Sequence, residues 1–197
     1  MKTYKQTISN DELNALPLNV FEKEIDVIDT IEKVDGAVEY LQQHSMIGFD
    51  TETRPSFKKG KTNQVALLQL STEQKAFLFR ICKIGLPDRL KELLENENVK
   101  KAGVAIRDDI KGLQKWSDFT PAGFEELQLI VKDYGIEAAG LKKLCGIILD
   151  FRISKAKQLS NWEDEQLSHG QQVYAATDAW TGLLIYKKLL NITIEDE

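Results

Sequence analysis

Acidic side chains fall in apolar surroundings at three well-separated places in this chain: FDTET at 49–53, GVAIRDD at 103–109 and YAATDAW at 174–180. Asp50 and Glu52 lie two apart in SMIGFDTET, a run that reads as a strand, so a period of two puts both carboxylates on one face. Tyr174 and Asp178 are four apart in a stretch that reads as a helix, and they too share a face. Carboxylates fixed on rigid, apolar elements repel one another and are costly to desolvate unless cations hold them together. A fold for this sequence must therefore bring a strand and two helices to one point and leave room there for positive charge.

The chain has 197 residues and a formal net charge of -5. That length suits one domain with a substantial core. The acidic balance argues against a structural coat on nucleic acid, whereas an enzyme needs only a basic rim around an acidic pit. Cys82 and Cys145 belong to no metal-spacing pattern and read as buried free thiols. The start, MKTYKQTISN, has no apolar core, and no run approaches membrane-spanning length. The expected setting is a reducing cytoplasm, with no membrane partner.

Residues 1–24 read as a polar lead-in packed onto a single domain at 25–192. EIDVIDT is a predicted strand and IEKVDGAVEYLQQ a helix, with Ile31, Val34, Val38 and Leu41 at helical spacing. After the strand carrying Asp50 comes a basic loop, RPSFKKGKTNQ, and then VALLQLST and KAFLFR, a predicted hairpin. LPDRLKELLENEN reads as a helix, VKKAGVA as a strand and RDDIKGLQKWS as a helix. FEELQLIVKDYG, LKKLCGIIL and a long segment from about His169 to Leu190 complete a helical second half. Strands first with helices interleaved, then helices, implies an α/β layered domain.

Helix geometry separates the neighbouring aspartates. At about 100° per residue, Ile106, Ile110 and Leu113 define the inward face, Asp109 lies about 60° from Ile106, and Asp108 lies about 200° away. Asp109 is the site candidate, and Asp108 a solvated first-turn acid. On the last helix, Leu167, Tyr174, Asp178, Thr181 and Ile185 form one stripe, where an aspartate is destabilising without a partner. An ion pair or a helix cap explains any one of these acids. Four together point to a two-metal phosphodiester site, the commonest reason to build such a cluster.

These motifs resemble those of the DEDD-type 3′–5′ exonucleases of the ribonuclease H-like superfamily, in the tyrosine subgroup. Asp50 and Glu52 match Asp-x-Glu, Asp109 in KKAGVAIRDD matches the aspartate opening a helix, and Tyr174 with Asp178 matches Tyr-x-x-x-Asp. The order of VALLQLS, LLENENVKKAGV, SNW and YAATDA is similar to that in the exonuclease domain of the Werner syndrome protein and its bacterial relatives. The resemblance covers roughly residues 25–190 and implies a three-layer fold with a mixed, mainly five-stranded sheet between helices. The second motif reads GVAI rather than GVGI, a small-for-small change expected to leave Asp109 in place. The histidine subgroup is excluded, because its histidine would fall at Val173.

By that resemblance, Asp50, Glu52 and Asp178 bind one divalent ion, Asp50 is shared with a second, and Asp109 helps hold the second through water. Oxygen ligands suit Mg²⁺ or Mn²⁺. One ion activates the attacking water, and the other offsets charge on the leaving 3′ oxygen. Tyr174 orients the attacking water, since a phenol near pKa 10 is a poor base at neutral pH. The implied partner is the 3′ end of DNA or RNA. Arg54, Lys58, Lys59 and Lys61 either hold phosphates at the mouth of the site or belong to a solvated loop, and Phe57 is a candidate to stack a base. Lys155 and Lys157 are candidates for backbone contacts, while Trp162 reads as a packing anchor. The rival reading is a catalytically silent nucleic-acid-binding or scaffold module, which should have lost a carboxylate. This chain keeps all four and the tyrosine.

Overall fold

The computed structural model describes residues 4–56 and 63–191. Its centre is a mixed six-stranded sheet in the order β1-β4-β3-β2-β5-β6. The strands are β1 (Glu24–Ile28), β2 (Met46–Thr53), β3 (Val65–Ser71), β4 (Lys75–Phe79), β5 (Lys100–Gly103) and β6 (Phe124–Glu126). β3 runs antiparallel to both β2 and β4, and the other pairings are parallel. The β3–β4 hairpin closes at Thr72, whose hydroxyl accepts the N–H groups of Gln74 and Lys75 while its own N–H bonds the Lys75 carbonyl. Such side-chain-to-backbone bonds are why threonine favours turns.

Helices cover both faces. On one, α2 (Val34–Gln42) and α4 (Asp88–Glu95) place Val38, Leu41, Leu90 and Leu93 against Ile47, Phe49, Leu68, Leu70, Phe77 and Phe79. A short α3 (Ile81–Ile84) follows β4, and α5 (Ile106–Gln114) follows β5. Across the other face lies α8 (His169–Leu189), started by a capping box in which Ser168 and Gln171 satisfy each other's backbone N–H. α8 is buried on most sides: Tyr174 and Ala175 meet Leu67, Leu78, Trp162 and Leu167, while Ile185 and Leu189 meet α7 (Leu141–Leu149). Leu167 belongs to that cluster but precedes the helix. The lead-in contains α1 (Asn10–Ala15), capped by Ser9 and Glu12, with Ile8 and Leu13 buried in the α7–α8 cluster. Among the described residues, no helix is long and apolar enough to cross a membrane.

The segment read as one helix from Phe124 is divided. Phe124–Glu126 pairs with β5 as a sixth strand, α6 (Leu127–Ile130) and a 3₁₀ turn (Val131–Tyr134) follow, and Gly135 ends the segment at φ 72°. Pairing with β5 overrides local helix propensity. Glu126 also caps two helices, since its carboxylate accepts the N–H of Gln128 in α6 and those of Ala105 and Ile106 at the start of α5.

Two positions show how closely the backbone is fitted. A Cβ on Gly48 of β2 would lie 1.9 Å from the Ala179 carbonyl oxygen of α8. Ala105, by contrast, carries a methyl at φ 62°, ψ 32°, the left-handed region where glycine is unstrained. The structural price of GVAI is thus local backbone strain, with α5 still in place. Gly48→Ala is expected to lower stability in urea unfolding by about 3 kcal/mol or more, because two backbones would have to part. Ala105→Gly should raise it by about 0.5–1 kcal/mol, strain relief outweighing the added freedom of the unfolded chain. Equal changes of the same sign would contradict this reading.

Candidate active site

β2 presents Asp50 and Glu52 towards α8, and α8 returns Asp178, so that one carboxylate oxygen of each lies within 4.8 Å of the others. Glu52 and Asp178 are only 9% and 8% exposed. Burial first, and then the charges of Asp178, Glu52 and Asp109, hold the Asp50 carboxyl well above its ordinary range. Burial, with the repulsion of Asp178 and Asp109, pushes Glu52 up to about 9. Burial takes Asp178 to about 7, opposed by a hydrogen bond from Tyr174 and by the charge of Lys155. Burial and mutual repulsion thus disfavour ionising all three together, and a compensating cation would relieve that cost. An all-oxygen donor set with this demand fits a hard divalent ion.

Asp109 stands beside this trio. Burial lifts it to about 6, against a hydrogen bond in which the Thr51 hydroxyl donates to its carboxylate. Asp108 points to solvent, with its side chain 92% exposed and 3.7 Å from Lys111. The helical register inferred from sequence holds for both aspartates. Tyr174 is 9% exposed, its hydroxyl bonded to Asp178 and its ring tilted against the fully buried Trp162 with centroids 6.0 Å apart. Burial and the neighbouring acids push that phenol above its usual range. Trp162 is a packing anchor.

Asp50, Tyr174 and Asp178 face a cleft of about 800 Å³, whose walls include Lys142, Lys143, Ser154, Lys155 and Gln158. Lys155 thus lies on the cleft wall with Asp50 and Asp178, while Lys157 lies against Gly170. Arg54 lines a separate depression beside Asp108 and Asp109, and it is paired with Glu163 at 3.0 Å. Lys58, Lys59, Lys61 and Phe57 lie outside the described residues. Sequence reasoning missed Thr51, Lys142, Lys143 and Gln158. The lysine pair did carry a signal, because cations in the first turn of a helix oppose its dipole and call for an anion nearby.

The sequence pattern of 3′–5′ exonucleases matches residues 25–194. The chain belongs to the 3′–5′ exonuclease domain family. It is 39% identical over 158 residues to the bifunctional 3′–5′ exonuclease/ATP-dependent helicase WRN of Mus musculus, a stretch covering 77% of this chain and 11% of that protein. The exonuclease domain of Aedes aegypti Nibbler superposes with a TM-score of 0.78 at 24% identity, covering 88% of this chain and 92% of that one. Escherichia coli RNase D, an exoribonuclease involved in structured RNA processing, gives 0.77 at 21% identity over 86% of this chain and 45% of that one. The fold is ribonuclease H-like. The chain spans between 11% and 48% of the length of the first curated relatives it matches.

The raised carboxyl groups fix a pH dependence for this exonuclease-family domain. Their folded values exceed their unfolded ones, so the metal-free fold binds the extra protons. The associated stability is complete below the ordinary carboxyl range and is lost as pH rises towards the value of about 9 reached by Glu52. A divalent cation bound only by the folded state offsets that loss. Thermal unfolding in EDTA should show a midpoint falling from pH 5 to pH 9, with the gap to Mn²⁺-supplemented protein widening over the same range. A gap independent of pH would contradict the assignment.

Proposed function

We propose that this chain is a metal-dependent 3′–5′ exonuclease of the tyrosine subgroup, acting on the 3′ ends of DNA or RNA. The observation that carries the reading is the convergence of Asp50, Glu52 and Asp178, two of which, Asp50 and Asp178, line a lysine-walled cleft. Asp50, Glu52 and Asp178 would hold one Mg²⁺ or Mn²⁺, and Asp50 with Asp109 a second. Such ions supply charge stabilisation at the scissile phosphate and make water a competent nucleophile.

The chain's own groups do the rest. Tyr174 keeps its proton at neutral pH, because burial and adjacent carboxylates disfavour the phenolate. Its hydroxyl therefore orients the attacking water and does not act as a base. Lys155, whose charge acts on Asp178, holds the terminal phosphate, and Lys142, Lys143 and Gln158, which line the same cleft, meet the backbone. Arg54, in the depression beside Asp109, meets the strand at the mouth of the site, and Lys58 and Lys59 are assigned to that mouth from the sequence alone.

Matched 5′-labelled DNA and RNA strands incubated with Mg²⁺ or Mn²⁺ should shorten one nucleotide at a time from the 3′ end. Absence of a ladder on both would overturn the reading. Asp109→Ala should abolish shortening and Asp108→Ala leave it nearly intact, since only Asp109 turns inward. Equal losses would contradict the assignment of Asp109.

Tyr174→Phe removes only the hydroxyl and should slow turnover by about 10²- to 10⁴-fold, the usual share of a positioned proton-handling group. Strand affinity measured with Ca²⁺ should stay the same. Asp178→Asn should instead change the dependence on metal concentration. Wild-type turnover in Tyr174→Phe would make the tyrosine merely structural.

A further inference from the structure

Gln69 on β3 stands directly opposite Asp50 on β2. Opposed residues on antiparallel strands share a face, with Cβ atoms about 4.5–5.5 Å apart, within reach of a glutamine amide. On its other side Gln69 pairs with Leu78 of β4, and Leu67, two residues before it on the same face, pairs with Glu52. Leu67 and Leu78 lie in the apolar cluster beneath Tyr174 and Ala175. Gln69 is 0% exposed, and neither its amide nitrogen nor its amide oxygen has a hydrogen-bond partner among the described residues. A leucine would fill this place, as at Leu67 and Leu78, without burying two unsatisfied polar atoms.

Asp50 receives a hydrogen bond from the backbone of Thr51. A carboxylate has about four lone-pair sites, so a cation and one N–H leave acceptor capacity unfilled. Carboxylates that ligate metals are in turn oriented by hydrogen-bond donors behind them. We propose that Gln69 is a positioning residue for the metal site. Its amide N–H donates to Asp50 once Asp50 holds a divalent cation, and so fixes the carboxylate towards Glu52 and Asp178. This rests on the metal-dependent reading above. Ser71, on the same face, and Thr181 on α8 also have buried hydroxyls without partners among the described residues. The competing account is therefore a water held in this polar seam with no bearing on the metal.

Metal binding separates the two. Mn²⁺ affinity by titration calorimetry and the unfolding midpoint in EDTA would be measured for wild type, Gln69→Leu and Gln69→Met. Removing an orphaned amide should raise the metal-free midpoint by about 2–4 °C. Mn²⁺ affinity should nevertheless fall about 10- to 100-fold, the usual loss when a donor behind a metal ligand is removed. Wild-type Mn²⁺ affinity in the variants would overturn the proposal while leaving the exonuclease reading intact. A wild-type protein that binds no Mn²⁺ and degrades neither strand would overturn both. Gln69→Met, unbranched and close to glutamine in length, carries the test if Gln69→Leu does not fold.

Discussion

The geometry of the site depends on one contact, the seating of α8 directly on the central strand β2. Gly48 presents no side chain to the Ala179 carbonyl, and Gly182 similarly approaches Ala102 on the neighbouring strand β5, where a Cβ would lie 3.0 Å from the carbonyl oxygen. Small residues along this side of the helix, among them Ala175 and Ala179, let the two backbones meet. Asp178 adjoins Ala179 and is carried down with it. Asp50 and Glu52 lie two and four residues beyond Gly48, so the strand's period of two turns them to the same face. A side chain at position 48 would push α8 away from β2 and draw Asp178 away from Asp50 and Glu52.

That proximity is electrostatically unfavourable by itself. Two apolar layers, one built on Phe49, Leu70 and Phe77 and the other on Leu67, Leu78 and Trp162, supply the packing that holds the acids close. Partial relief comes from the Tyr174 hydroxyl and from Lys155, both acting on Asp178. Glu52 has no comparable aid, and its carboxyl is pushed up to about 9. The fold thus keeps a standing demand for positive charge in one place. This favours a cation there over an apolar ligand, in keeping with membership of an exonuclease family.

Much of this was legible in the sequence because it depends on local periodicity. Strand alternation turned Asp50 and Glu52 to one face, helical spacing joined Tyr174 to Asp178, and about 100° per residue separated Asp109 from Asp108. What escaped notice depends on partners distant in the chain. β6 exists because β5 offers it an edge, and FEE alone carries no strand signal. Glu126 reaches back across 20 residues to the first N–H groups of α5. Thr51 reads as a spacer within Asp-x-Glu, and only the fold shows its hydroxyl bonded to Asp109. The basic loop after the first motif was conspicuous by composition, yet the lysines on the cleft wall beside Asp178 come from α7 and the segment after it.

The four acids are held by two separate sets of interactions. Asp50, Glu52 and Asp178 are fixed by the β2–α8 contact, which is deep and nearly all backbone and small side chains. Asp109 depends on α5, whose first turn is strained at Ala105 and tied by the Glu126 carboxylate, and whose inward aspartate is tied by Thr51. Stability need not be uniform across a structure, and elements with fewer buried contacts open first. α5 buries Ile106 and Leu113, whereas α8 is enclosed along most of its length. The trio therefore sits in the more deeply packed part of the site. The placement of Asp109 is the more easily changed, through Ala105, Glu126 and Thr51, without disturbing the three carboxylates that already converge.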